Sequence, residues 1–138
     1  IGAVVNAGQL RPGEDVVVIG AGGVGLNAIQ GARIAGARRI VAVDLNEDKL
    51  DAAIEFGATD GVLASGEAPW RDVKKAIGRG ADLVAVTVGA IPAYNLAPRY
   101  LAAAGRIVMV ADSGGPAALL SIKHAMPSPW ARPSIMSP

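Results

Sequence analysis

The sequence predicts an α/β fold, a doubly wound parallel sheet of about five to six strands with helices on both faces. Short, continuously apolar runs such as Val16–Ile19 are typical of strands buried on both sides of a parallel sheet. Segments with helical spacing alternate with these runs, and the connections are short. The 138 residues are 51% hydrophobic and 18% charged, which suits one domain with its own core.

The first strand is expected at Val16–Ile19, and a glycine-rich loop follows it. Residues Val24–Ala35 then show helical spacing, and Gly36 is expected to end this helix because glycine readily adopts a C-cap conformation. The apolar stripe of the helix consists mostly of small residues, so the helix can lie close to the sheet. A second buried strand is expected at Ile40–Val43, and Asp44 closes it.

The remaining elements follow Asp44. Asn46 has the side chain of an N-cap, and Glu47 and Asp48 place negative charge in the first helical turn, where the helix dipole favours it. Pro98 lacks an N–H, so we expect a lost hydrogen bond or a kink inside the helix that contains it. The expected elements are a helix ending at Gly57, a strand at Gly61–Leu63, a helix opening at Pro69, a strand at Leu83–Val88, a helix at Pro92–Ala104 and a strand at Ile107–Val110.

Composition and charge exclude several function classes. The formal net charge of +1 gives no electrostatic footprint for nucleic acid or for an anionic membrane. The absence of cysteine excludes disulfides and thiolate zinc sites, and with one histidine, His124, no metal site is expected in this chain. The uncharged stretch Val16–Ala32 is shorter than the roughly 20 apolar residues of a membrane span, and no signal-peptide pattern is present. We therefore expect a soluble protein of a reducing compartment such as the cytoplasm.

The loop after the first strand carries the pattern G-x-G-x-x-G. Gly20, Gly22 and Gly25 form it, and Gly23 is an additional glycine. The pattern alone is a weak signal, but here it follows a predicted strand and opens a predicted helix, as a dinucleotide-binding turn requires. Gly20 would allow the tight turn, Gly22 the approach of a pyrophosphate, and Gly25 close packing of helix and strand. The helix N-terminus would offer free N–H groups to the phosphates.

Asp44 is the second feature of a dinucleotide site. It ends the second strand, 19 residues after Gly25. A carboxylate there can accept both hydroxyls of an adenosine ribose and would repel a 2′-phosphate, which favours NAD over NADP. The simpler alternative is that Asp44 caps the next helix. Loop, spacing and acid together favour nucleotide binding.

Other polar residues give weaker signals. Lys49 could reach the adenosine ribose, although a lysine on a helix is usually just solvated. Asp82 precedes the fourth strand and is most simply a turn or capping residue. Asp112 and Ser113 follow the fifth strand at the edge where ligands of such sheets bind, but Asp-Ser-Gly-Gly is also ordinary turn chemistry. No pair of titratable groups forms an acid/base couple, so the sequence predicts a binding site with no catalytic residue.

The segment from Gly2 to Thr59 resembles the cofactor-binding (Rossmann) domain of medium-chain, zinc-type alcohol dehydrogenases. The match includes the lead-in helix, the Pro12-Gly13 turn, the glycine loop, "VAVDLNEDKL" and "FGAT", and it continues more loosely through Asp82–Gly89 and Gly105–Val110. This resemblance implies NAD-linked oxidation of an alcohol, with hydride passing to nicotinamide and a catalytic zinc polarising the oxygen.

The resemblance also implies roles for particular positions. The glycine loop would cradle the pyrophosphate, Asp44 and Lys49 would hold the adenosine ribose, and residues after strands four and five would border the nicotinamide. The family usually has glycine where Ala111 stands, and often an acid where Val86 stands. The expected cofactor-binding residues are Gly20, Ala21, Gly22, Gly23, Val24, Gly25, Asp44, Lys49, Val88, Gly89, Val110 and Ala111.

The zinc ligands of the family lie in a domain that would precede Ile1. We therefore expect zinc only in that catalytic domain, and a chain that binds NAD but has no activity alone. Residues 1–120 would form the NAD-binding domain and 121–138 a Pro/Ser-rich tail, or the truncated start of the sixth strand, which "PSIMSP" resembles. The resemblance implies a small alcohol or aldehyde substrate of unspecified identity, and it implies a homo-oligomer, with dimers that pair sheet edges through this domain.

Two alternatives remain open from the sequence. One is a stand-alone nucleotide-sensing Rossmann module that regulates a partner, like the regulatory domains that gate potassium transport. The other is the cofactor domain of a zinc-free relative such as a quinone reductase, although many of these prefer NADP and would not favour Asp44. The lead-in helix and the "FGAT" segment favour the dehydrogenase.

Overall fold

The computed structural model describes residues 9–87, 95–112 and 117–124. Within these ranges the chain forms six strands and three α-helices. The strands are β1 (Asp15–Ile19), β2 (Arg39–Asp44), β3 (Asp60–Leu63), β4 (Ala81–Thr87), β5 (Leu101–Asp112) and β6 (Ala117–His124). The helices are α1 (Gly23–Ile34), α2 (Glu47–Phe56) and α3 (Pro69–Ile77).

The sheet has the order β3-β2-β1-β4-β5-β6. Its first five strands are parallel, as predicted, and β6 runs antiparallel to β5 at the edge. Val16 of β1 pairs with Ile40 on one side and with Leu83 on the other. The chain thus proceeds from β1 outward to β3 and then returns to the opposite side of β1, which makes the space between β1 and β4 the switch point of the sheet.

Helices cover both faces of the sheet because neighbouring residues of each strand point to opposite sides. On one face, Val16 and Val18 pack with Ala28 and Ile29 of α1 and with Leu50 of α2. On the other face the core includes Val17, Ile19, Val41 and Val84, together with Val73 and Ile77 of α3. The buried side of α1 consists of Gly25, Ala28, Ile29, Gly31 and Ala32, and these mostly small residues let the helix lie close to the strands.

The helix predicted at Pro92–Ala104 is wrong over its second half. Residues 95–100 form a 3₁₀ segment, and Leu101–Ala104 already belong to β5. The missing N–H of Pro98 opposes an α-helix there, and Leu101 pairs with Ala81 ahead of a register shift in the β4–β5 ladder. Pairing across the sheet therefore overrides the helix propensity of the alanines. Residues 92–94 lie outside the described ranges.

A strand crosses the boundary that was expected between residues 120 and 121. β6 continues to His124, so residues 121–124 are part of the sheet and not of an irregular tail. Residues 117–124 contain no proline and can therefore form a strand, whereas the proline-rich stretch begins at Pro127. "PSIMSP", which was expected to start the sixth strand, lies outside the described residues, and a separate tail after β6 stays a prediction.

Candidate functional site: the carboxyl edge of β1, β2 and β4

The carboxyl ends of β1 and β2 place the glycine loop and Asp44 at one edge of the sheet. Ile19 pairs with Val86, and Gly20 and Thr87 are the residues that follow them, so the loop that leaves β1 lies against Thr87 at the end of β4. Asp44 ends β2 on the other side of β1. This edge contains the switch point at which ligands of open α/β sheets bind.

Two glycines of the loop are required by close packing. Gly20 has a φ of +93°, in the region that favours glycine, and a Cβ there would collide with the Thr87 hydroxyl. A Cβ on Gly25 would collide with the carbonyl of Gly20. The Gly20 N–H donates to the Val43 carbonyl at 2.8 Å, which extends the β1–β2 ladder into the loop. Gly20 and Gly25 therefore fix the turn and bring α1 against the strand ends.

The other two glycines face open space. A Cβ on Gly22 or Gly23 would meet no atom of the described residues within 4 Å. Gly22 is the N-cap of α1, and its carbonyl accepts the first helical bond, from the Leu26 N–H at 2.8 Å. No acidic residue lies in the first turn. Within the described part of the chain, the N–H groups of Gly22, Gly23, Val24 and Gly25 donate to no other residue. These four amides form a site with the chemistry that an anion requires.

Asp44 links this loop to the next turn. Its Oδ2 accepts the Ala21 N–H at 2.8 Å, and its Oδ1 accepts the Asn46 N–H at 2.9 Å. Asp44 is not the N-cap of α2, because Asn46 has that role and accepts the N–H groups of Asp48 and Lys49. The simpler interpretation of Asp44 as a helix cap is therefore wrong. A carboxylate has about four acceptor positions, so roughly two stay available on Asp44 for hydroxyl donors.

The remaining predicted residues lie in different surroundings. Lys49 is exposed in the first turn of α2, and Val24 packs partly against the core. Val110 is buried two residues before the end of β5, and Ala111 is the next position of that strand. Val88 and Gly89 lie outside the described residues, as does Ser113. Contact of the twelve residues with a cofactor stays a prediction.

The structure adds two residues that the sequence analysis did not select. Thr87 is buried at the end of β4, with its side chain beneath Gly20 and Gly25. The available sequence signal was a threonine that ends the strand "ADLVAVT" after an unbroken apolar run, Leu83–Val86. Leu45, next to Asp44, is 73% exposed, which is unusual for a large apolar side chain. The sequence feature that could have identified Leu45 is its position directly after the acid that ends β2.

Asp82 does not belong to this site. It lies inside β4 at the opposite, amino edge of the sheet, where it accepts the Asp15 N–H at 2.8 Å and pairs with Arg79 at 2.7 Å. Burial raises the pKa of Asp82, but the hydrogen bonds from Arg79 and Asp15 outweigh this, so its pKa is lowered overall. This arrangement corrects the interpretation of Asp82 as a turn or capping residue.

Neither a metal site nor a membrane span is found in the described ranges. No three His, Asp or Glu side chains there come together as metal ligands. None of the helices in those ranges is long and apolar enough to cross a bilayer.

The fold and the site define a class: a doubly wound α/β domain of Rossmann type with a glycine-rich loop at the switch point. The family described as zinc-binding dehydrogenase matches residues 23–128, more than half of the chain. The chain belongs to the zinc-binding dehydrogenase family. This agrees with the resemblance found in the sequence.

Individual relatives support the same assignment. The chain is 53% identical over 60 residues to S-(hydroxymethyl)glutathione dehydrogenase of Escherichia coli. The aligned residues cover 44% of this chain and 16% of that protein. It superimposes on alcohol dehydrogenase TADH from Thermus sp. ATN1 with a TM-score of 0.73 and 38% identity, over 83% of this chain and 34% of that one. For benzyl alcohol dehydrogenase from Acinetobacter calcoaceticus the TM-score is 0.74 and the identity 30%, over 87% and 33% of the two chains.

The chain thus spans about a third or less of the length of each of these relatives. All three are named as dehydrogenases, which favours the dehydrogenase interpretation over a regulatory nucleotide sensor.

Proposed function

We propose that this chain binds NAD(H) at the carboxyl edge of β1, β2 and β4, as the cofactor domain of an alcohol dehydrogenase. The observation that carries the proposal is the juxtaposition of four available loop amides with the Asp44 carboxylate. An anion-binding helix N-terminus beside a hydroxyl-binding acid matches a pyrophosphate joined to a ribose. In the enzyme, bound nicotinamide would accept hydride from an alcohol.

The phosphate half of the cofactor would lie over Gly22 and Gly23. None of the residues that the structure describes occupies the space where their side chains would be, so a phosphate can approach the backbone closely. The amides of Gly22, Gly23, Val24 and Gly25 would donate to the pyrophosphate oxygens, aided by the partial positive charge of the α1 N-terminus.

The adenosine half would lie against β2 and the turn that follows it. The acceptor positions left on Asp44 would take the 2′- and 3′-hydroxyls of the ribose, with Lys49 at the rim. A 2′-phosphate would bring negative charge against this carboxylate, which is the basis for preferring NAD to NADP. Leu45 offers exposed apolar surface beside Asp44 on which an adenine ring could pack.

The donor set of this chain does not suit zinc. The sequence has no cysteine and one histidine, and the described residues contain no cluster of three metal ligands. No step of the proposal therefore passes through a metal bound by these residues. We assign to this chain cofactor binding without catalysis, in a cytoplasmic and oligomeric enzyme acting on a small alcohol or aldehyde.

This function is tested by titrating the 138-residue chain with NADH and with NADPH and measuring the binding by calorimetry. NADH is expected to bind at least about tenfold more tightly than NADPH, and Asp44→Ala to reduce NADH affinity by about tenfold, the effect of losing hydrogen bonds to a charged group. Asp51→Ala, which removes an exposed carboxylate from α2, is the matched control and should bind as the wild type does. A wild-type chain that binds no dinucleotide would contradict the proposal.

A further inference from the structure

The Ala21 amide distinguishes Asp44 from a residue that only binds ribose. Ala21 lies in the glycine loop and is buried, and its N–H donates to the Asp44 Oδ2 at 2.8 Å. This amide is therefore committed within the chain. This hydrogen bond also fixes the peptide between Gly20, with its φ of +93°, and Ala21, the residue that leads to Gly22 at the N-terminus of α1.

The second carboxylate oxygen of Asp44 binds the turn between β2 and α2. Oδ1 accepts the Asn46 N–H at 2.9 Å, and the Asn46 side chain caps α2 through the Asp48 N–H at 2.8 Å. One carboxylate thus holds the glycine loop and the turn after β2 in a fixed relation. We name these two hydrogen bonds, from Ala21 and Asn46 to Asp44, the Asp44 clasp.

We propose that Asp44 is a positioning residue for the pyrophosphate as well as a ligand of the ribose: the Asp44 clasp holds the glycine loop with its remaining amides turned toward the phosphates. This inference rests on the proposed function. Without the clasp, the peptides of the loop would become ordered only when the phosphates bind. The entropy lost in that ordering would weaken the binding of any ligand that uses those amides.

The direction in which pyrophosphate affinity changes when Asp44 is removed distinguishes a positioning role from ribose binding alone. A carboxylate close to an anion site repels phosphate, so removal of a residue that binds only ribose should leave pyrophosphate affinity unchanged or raise it. If the carboxylate positions the loop, its removal lowers that affinity in spite of the lost repulsion. Inorganic pyrophosphate contains no ribose and therefore separates the two roles of Asp44.

The experiment compares the 138-residue chain with Asp44→Ala, Asp44→Asn and the control Asp51→Ala, titrated with pyrophosphate, ADP and 2′-deoxy-ADP and followed by amide NMR. We expect Asp44→Ala to weaken all three ligands, pyrophosphate by about fivefold or more. Asn keeps one acceptor oxygen, so Asp44→Asn should recover part of the loss for pyrophosphate. The control should match the wild type for each ligand.

Hydrogen exchange without ligand measures the clasp directly. The Ala21 amide should exchange at least about tenfold faster in Asp44→Ala than in the wild type, while amides of β1 such as that of Val17 keep their protection and show that the fold is intact. Unchanged exchange at Ala21 would overturn the proposal, as would unchanged or tighter pyrophosphate binding in Asp44→Ala. In both cases tight binding of ADP by the wild type would leave the proposed function standing. A wild-type chain that binds none of the three ligands would instead contradict the proposed function, and the positioning role with it.

Discussion

The two edges of the sheet use aspartate in opposite ways. At the amino edge, Asp15 is fully buried and pairs with Arg38 at 2.8 Å and Arg79 at 2.9 Å, while Asp82 binds the same Arg79 and the Asp15 N–H. At the carboxyl edge, Asp44 is only half-buried, and its partners among the described residues are two backbone N–H groups. Its negative charge meets no side-chain cation among the salt bridges of the described residues.

This difference separates residues that stabilise the fold from residues available for binding. The amino edge compensates each charge internally, so its acids gain little from an added ligand. The carboxyl edge keeps unused acceptors on Asp44 and unused donors in the loop, which is the state that a ligand can complete. Substitutions at the two edges should therefore separate stability from affinity.

The largest effect is expected for Gly25→Ala. Its Cβ would collide with the backbone carbonyl of Gly20, which cannot move aside as a flexible side chain could. We expect a loss of about 3 kcal/mol or more in the free energy of unfolding, measured by urea denaturation. Gly66→Ala is the matched control, because a Cβ there would meet no atom within 4 Å in the described part of the chain, and it should unfold as the wild type does.

Gly22→Ala sharpens this result within the same loop. Its Cβ would meet no atom of the described ranges within 4 Å, so the fold should be retained within about 1 kcal/mol, whereas NADH affinity should fall because the methyl group occupies the proposed phosphate position. Equal losses of stability in Gly22→Ala and Gly25→Ala would show that the loop glycines are all structural. The contrast between open and packed glycines would then be wrong.

Asp15→Asn should give the next largest effect, of about 2 to 3 kcal/mol. The substitution leaves Arg38 and Arg79 without their buried charged partner, although both arginines are about half-exposed and can turn to water, which limits the loss. Because the change lies at the amino edge, the affinity of the folded protein for NADH should stay within about twofold of the wild type. An affinity loss comparable to that of Asp44→Ala would show that the two edges are coupled.

The features that local patterns specify could be predicted from the sequence. Continuous apolar runs predicted β1, β2 and β4, and Asn46 and Gly57 were recognised as the ends of α2. The position of the glycine loop between β1 and α1 also followed from the local pattern. Apolar periodicity and capping chemistry act over a few residues, so one sequence is enough to recognise them.

Contacts between distant segments could not be predicted. The early start of β5 depends on pairing of Leu101 with Ala81, and the placement of Thr87 beneath Gly20 joins residues far apart in the chain. The hydrogen bond from the Asp15 N–H to Asp82 spans 67 positions. Such contacts depend on strand order and register, which a single sequence specifies only weakly.

The smallest expected effect is a change with pH in the free energy of unfolding, caused by Glu14 at the amino edge. Glu14 accepts two hydrogen bonds from Arg106, at 3.0 and 3.2 Å, and this pairing lowers the pKa of Glu14 below its ordinary value of 4.5 in spite of partial burial. A carboxyl whose pKa is lower in the folded protein stabilises the fold above its unfolded pKa, and that stabilisation is lost as pH falls through the folded pKa.

Glu14→Gln should therefore cost about 1 kcal/mol or less at pH 7, and the difference from the wild type should shrink as pH falls below about 4.5. Urea denaturation at pH 7, 5, 4 and 3 measures it, with Glu67→Gln, which removes an exposed carboxylate, as the control that leaves the free energy of unfolding at pH 7 unchanged. A difference that stayed constant to pH 3 would mean that Glu14 stabilises through packing and not through its charge. The amino edge would then owe its stability to the Asp15 and Asp82 pairs, and the comparison with Asp44 would rest on those two acids alone.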